Sequence, residues 1–316
     1  LVERELAPDE YLPATATEFT EIEIHPIRPL YRTIARAIEL GEYQTAAQGI
    51  DGLRTVLIRT FEYLKSEHSE EDAAQHASAV STEVLTEYIP PILEQAYTHE
   101  QYDLVSDAVD DVEAVALNGL DHGFTDVAED AAEGLGDAFD AAPLTREGNR
   151  LRNPLKESLL ELTKATASEA EYTTFLAVSH HLDHQMTVLL RRRPDANVTH
   201  RLVGDYYSRE IAEIFEVLVD RYGDDVQDQD INWISPTEDR KWTLPDEAEP
   251  LRHVWREFAS FTQTVLRYRV SEEEYPFVEG SIDDGWKRIT KSAADAGIDG
   301  LATLSCITTI QLAYRV

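Results

Sequence analysis

The sequence predicts an all-α fold of stacked antiparallel helical hairpins, α-solenoid-like or an irregular helical bundle, with one short N-terminal extended arm. Three observations carry that prediction. Apolar residues recur at i, i+3, i+4 and i+7 through most of the 316 residues, the spacing of a buried helical face. Tight turns such as Gly41-Glu42 separate these patterns. Strand-like alternation is confined to Glu18–Ile24.

Residues 1–24 form a linker and an arm: Leu1 to Thr17 is polar, and Phe19, Ile22 and Ile24 alternate with acids. Pro26 and Pro29 open the first helix, where the missing N–H has no intrahelical partner. The next helix places Tyr43, Ala46, Ala47, Ile50, Leu53, Leu57, Phe61 and Leu64 on one face. A two-residue turn makes the preceding helix the surface that buries that face. Ser69 followed by Glu70, Glu71 and Asp72 is an N-terminal cap with acids in the first turn. Ala73, Ala77, Val80, Val84 and Tyr88 continue to Pro90-Pro91, predicted to break or kink the helix. Helices follow to Tyr97, from Tyr102 to an Asn118-Gly119 cap, and from Phe124 to Phe139.

The polar connector from Pro143 to Asn153 sets the expected boundary between N-terminal hairpins, 25–142, and a C-terminal helical region, 143–316. In the latter, helices are expected over Leu155–Leu162, Glu169–Arg192, Thr199–Tyr222 and Ala248–Tyr268, with stops at Pro194 and Gly223. An irregular loop spans 223–250, and two shorter helices joined at Gly297–Gly300 close the chain.

Acids outnumber bases 61 to 28, for a formal charge of −33, and they are dispersed along the chain. Such a surface repels itself unless salt screens it, and the Debye length falls to about 3 Å at 1 M salt. With lysine scarce, the composition resembles that of halophilic archaeal proteins. An acidic protein of an ordinary cytoplasm is the alternative. No nucleic-acid partner is expected, because phosphate backbones are repelled. Cys306 is the single cysteine, which excludes an intrachain disulfide and agrees with a cytoplasmic location. No apolar run is long enough for a membrane span within this chain, although an upstream anchor before Leu1 would tether it.

Several helices start on an aromatic preceded by an acid, Gln or Gly: Glu42-Tyr43, Gln101-Tyr102, Gly123-Phe124 and Glu171-Tyr172. The stretch LGEYQTAAQ, with Ala46 three residues after Tyr43, resembles the inter-helix turn of tetratricopeptide repeats. The resemblance implies stacked helical hairpins that present a surface to a protein or peptide. Any antiparallel helix pair with a tight turn is the plainer reading.

Three groups are candidate sites. His180 and His184 stand one turn apart, on the flank of a stripe formed by Tyr172, Phe175, Leu176, Ser179, Leu182, Met186 and Leu189. They make a pair of imidazole metal ligands or a solvated flank, and His181 is expected to point away from both. Arg191, Arg192 and Arg193 form an anion or partner-acid site, or else offset a helix dipole. Trp233, Arg240 and Trp242 bring partner-binding residue types to the irregular loop, either docked on the helices or offered to a partner. No phosphate loop, nucleophile elbow or cofactor motif is present. The sequence therefore reads as a non-enzymatic scaffold or sensor that holds a protein or peptide in a helical groove. A metal-dependent enzyme built on His180 and His184 is the alternative.

Overall fold

The computed structural model describes residues 24–192, 200–227, 246–268 and 278–313. Among them there is no strand. The N-terminal hairpins are α1 (Ile24–Glu39), α2 (Tyr43–Glu67), α3 (Glu70–Ser81), a π-helical segment (Thr82–Tyr88), α4 (Ile89–Thr98), α5 (Tyr102–Asp121), α6 (Thr125–Ala141), α7 (Asn149–Glu169) and α8 (Tyr172–Arg192). Two more π segments, His200–Gly204 and Tyr206–Glu210, precede α9 (Ile211–Val226). Then come α10 (Glu249–Tyr268), α11 (Val278–Asp295) and α12 (Asp299–Ala313). The arm proposed over Glu18–Ile24 lies outside the described residues except for Ile24, which is helical.

Contacts divide the chain into two compact units, Leu1–Gln185 and Met186–Val316, with the division inside α8. In the first unit the helices pair in two layers. One layer runs α1, then the π segment with α4, then α6; the other runs α2, α5, α7. Each layer-one element packs beside the next, and so does each layer-two helix, which is the stacked-hairpin arrangement. The expected face of α2 is the one that is buried: Ala46, Ile50, Leu53, Leu57, Phe61 and Leu64 are core residues. Gly49 extends that face, because a Cβ there would press on Ile34 of α1.

One turn geometry recurs. Gly41 has φ +74°, Glu42 N–H donates to the Ala37 carbonyl at 2.8 Å and Gly41 N–H to the Ile38 carbonyl at 3.0 Å. This is a Schellman turn, which satisfies the last carbonyls of one helix while launching the next. The same pair of bonds recurs around Glu100 (φ 58°), Gly123 (φ 84°) and Gly297 (φ 73°). The repeated unit is therefore the left-handed residue and its bonds, with the aromatic in variable register. Tyr43 and Tyr102 lie two positions after it, and Phe124 only one. Tyr172 follows a different turn, through the extended Ala170.

The structure corrects several sequence boundaries. Gly119 does not end its helix: α5 runs to Asp121, and Gly119 lies in it because a side chain there would collide with Val127. Residues 149–153 are helical rather than connector, and Arg152 within them is buried, donating to the Ala142 and Pro143 carbonyls at the end of α6. Pro90-Pro91 does not end the helical run. The backbone widens to a π segment ahead of it, with Ile89 N–H donating to the Val84 carbonyl, and α4 continues. Proline cannot supply the N–H that the preceding turn's carbonyls require, and widening redistributes those bonds. Gly223 is internal to α9, which ends at Val226. The helix expected over Thr199–Tyr222 contains the two π segments.

The second unit is built differently. Trp286 of α11 is fully buried, stacks on Phe258 of α10 at 4.5 Å and donates its indole N–H to Thr262 Oγ1 at 2.9 Å. Tyr207 stacks on Phe261 at 3.4 Å between ring centroids. This aromatic column is the core against which α9, α10 and α11 close.

Candidate functional site

An open cleft of about 430 Å³ lies between the layer-two helices α2 and α5. Ala47, Gln48, Ile50 and Asp51 line it from α2, and Leu104, Asp107, Asp110 and Asp111 from α5. The periodicity that buries Ile50 and Leu104 turns their neighbours toward the opening, so an apolar floor carries an acidic rim. Asp51, Asp107 and Asp110 are exposed, and Asp111 is half-buried. Arg54 bridges the walls, 2.8 Å from Asp51 and 3.1 Å from Asp111. Burial pushes the Asp111 carboxyl up, Arg54 pulls it back, and the fields of Asp51, Asp107 and Asp110 push it up again. One guanidinium thus sits among four carboxylates, and the rim is left net negative.

Sequence reasoning missed this cleft because acids are abundant everywhere in the chain. The signal was present in the spacing: Asp107, Asp110 and Asp111 share one face of α5, one turn apart.

The sequence-predicted sites fare unequally. Trp233, Arg240, Trp242 and Arg193 lie outside the described residues; Arg191 and Arg192 end α8, and their side chains lie outside them too. His180 and His184 are both exposed, with ring centroids 6.0 Å apart, and His184 Nε2 lies 3.9 Å from Asp140. No group of three His, Cys, Asp or Glu among the described residues is placed to hold a metal ion.

His181 is half-buried against α6, where a Cβ on Gly136 would stand 3.0 Å from its Nδ1. A second buried stripe, Thr174, Val178 and Gln185, flanks it, and Gln185 Nε2 donates to the Gly136 carbonyl at 3.1 Å. α8 is therefore packed on a wider arc than its apolar stripe suggests. Burial, and then His180, lower the His181 pKa against the opposing fields of Glu133 and Asp137.

No family model matches the chain, and no curated protein sequence is similar to it. Among solved structures, the chain is similar to one described as a circular tandem repeat protein with novel repeat topology and enhanced subunit contact surfaces. The TM-score is 0.51 at 16% identity, over 94% of this chain and 65% of that one. The chain thus spans about two thirds of that protein's length. At this identity the likeness is one of fold, and it agrees with the all-α hairpin architecture. No helix among the described residues is long and apolar enough to cross a membrane.

Proposed function

We propose that this chain is a protein-interaction scaffold that receives a protein or peptide segment in the groove between α2 and α5, inside a salt-accumulating cell. The groove itself is the observation that carries the reading: an open cleft on stacked hairpins, apolar at its floor and acidic at its rim. The partner chemistry that fits is a segment bearing Arg or Lys next to small apolar side chains. At molar salt only contact ion pairs survive screening, so the floor supplies affinity and the aspartates supply register.

The test is co-purification in molar salt of the unaltered chain and an Asp107→Lys/Asp110→Lys double variant. The groove reading expects a stoichiometric protein partner that the double variant binds about tenfold more weakly, each exposed pair counting for up to about 1 kcal/mol. Equal retention by both chains would overturn it. Replacing Trp233, Arg240 and Trp242 with alanine tests separately whether they add a second contact.

The salt-adapted part of the reading rests on the charge of −33. Thermal unfolding should shift strongly upward between low and molar KCl, and a midpoint indifferent to salt would remove it. Elemental analysis separates the scaffold from a metal enzyme: stoichiometric zinc, iron or manganese would favour the His180–His184 pair instead.

A further inference from the structure

One titratable ring stands inside the apolar face of a helix. On α3 the buried stripe runs through Ala73, His76, Ala77 and Val80, the i, i+3, i+4 and i+7 spacing of a core-facing side. His76 takes a position whose neighbours are small and aliphatic, and only 6% of it is exposed. A second imidazole meets it from the preceding helix. His68 follows the last turn of α2, its N–H donating to the Leu64 carbonyl at 3.1 Å. Its ring faces that of His76 edge-on, with centroids 5.5 Å apart, and stands 6.0 Å from the ring of Tyr63. Two imidazoles from two helices thus meet where α2 turns into α3.

The charges around the pair do little to welcome a proton. Asp72 lies one turn before His76, but it is exposed and its carboxylate accepts from the Ser69 hydroxyl at 2.7 Å. Lys65 and Glu67 at the end of α2 are exposed, and Lys65 Nζ lies near Gly123. α6 and the π segment also pack on α3. α6 starts with the exposed Asp126 and the half-buried Glu129, and its Asp130 is held by Ser81 and Thr82 at the far end of α3. In the π segment Glu83 is paired with Arg28, and Glu87 is exposed. Burial, and then His68, lower the His76 pKa, and Asp72 opposes them without reversing the shift.

We infer that the corner between α2 and α3 is a pH-sensitive joint. It stays shut while the His68 and His76 rings are neutral, and it opens on acidification, when His76 reaches water and takes up a proton. Histidine is the side chain whose charge changes near neutrality. In the open corner the ring titrates near its ordinary value of about 6.5. The closed corner binds a proton less readily than the open one. Closure is therefore favoured in full above that pH and loses its advantage as pH falls below it. Because the closed ring is buried, molar salt does not screen the cost of charging it. Repulsion across the acidic surface changes in the opposite sense, since protonating carboxylates relieves it. Opening at this corner is thus a local event, separable from unfolding of the whole chain.

Amide hydrogen exchange of the full chain in molar KCl tests this from about pH 7.5 to about pH 5, the range in which histidine titrates. Protection factors, corrected for the intrinsic pH dependence of exchange, are compared between residues 64–77 and α5. Protection of the corner should fall below about pH 6.5 by up to about tenfold per pH unit, the limit for one proton, while α5 holds. His76→Leu, which continues the apolar stripe, should make the protection of the corner independent of pH. His68→Gln should make the total fall smaller, because no positive charge then stands beside the closed His76 ring. Protection that stays constant in the native chain, or that falls equally in the native chain and both variants, would overturn the assignment. If His76→Leu does not fold, His68→Gln decides alone: an unchanged fall overturns the joint and a smaller one upholds it.

Discussion

The two units solve the same packing problem with different materials. The first, up to Gln185, brings helices close by removing side chains. Gly49 admits Ile34, Gly119 admits Val127, Gly134 lets α6 lie on the Leu85 carbonyl of the π segment, and alanines fill much of α6. The second, from Met186, fills its core with the rings of Tyr207, Phe258, Phe261 and Trp286. Both units accommodate π turns, Thr82–Tyr88 within a layer of the first and Tyr206–Glu210 beside the rings of the second. Gly285 is the second unit's counterpart of these glycines, making room for Phe258 and the Tyr207 carbonyl. The contrast is thus one of emphasis between spacing and filling.

The largest expected effect comes from emptying the column. Trp286→Ala removes a fully buried indole, its stack on Phe258 and its bond to Thr262. A loss of about 3–5 kcal/mol is expected, since the rings cannot collapse onto a hole that size. Denaturant unfolding measures it. A loss of about 1 kcal/mol or less would mean that the second unit relaxes freely and that filling is not its organising device.

This difference also decides how much could be read from the sequence. The first unit's helix faces were legible because alanine and aliphatic spacing at 3.6 residues reports burial directly, as with Ala46 through Leu64 of α2 and Val127 through Ala138 of α6. Its glycines were legible only as punctuation. Gly41 does punctuate, but Gly119 and Gly134 sit inside helices because of what lies opposite them, and no local pattern carries that information. The π segment Thr82–Tyr88 was hidden for a related reason, since its hydrogen-bond shift answers to Pro90-Pro91 downstream rather than to its own residues. The cleft was written in the Asp107–Asp111 spacing but was masked by the density of acids. The His180–His184 pair was legible as a pair, while the burial of His181 depended on the absence of a side chain at Gly136.

A smaller effect probes the opposite failure, adding atoms where spacing matters. A Cβ on Gly134 would run into the Leu85 carbonyl carbon at 2.9 Å and collide with its oxygen, both main-chain atoms that cannot rotate away. Gly134→Ala should cost about 1–3 kcal/mol despite alanine's better helix propensity. The same exchange at Gly223 meets only ordinary contacts at 3.5 Å and should be neutral or stabilising. Equal melting shifts for the two variants would erase the distinction between a spacing glycine and an incidental one.

The smallest effect concerns pH at the joint that close packing creates. Asp130 of α6 accepts hydrogen bonds from Ser81 Oγ at 2.5 Å and Thr82 Oγ1 at 3.0 Å, where α3 passes into the π segment. Burial pushes its carboxyl up and the two hydroxyls restrain it, so the net displacement is upward. A carboxyl with a folded pKa above its unfolded value binds a proton more readily in the native state. Its contribution to stability is present below the unfolded pKa, near 4 for aspartate, and is lost as pH rises through the folded value. Asp130→Asn keeps an acceptor for Ser81 and Thr82 and removes the buried charge. The variant should match the native chain in acid, where Asp130 is protonated, and exceed it modestly at neutral pH. Melting midpoints followed from acid to neutral pH measure that divergence. Parallel curves would show that the charge at this joint is solvated and that the helices there are less closely closed than the glycines imply.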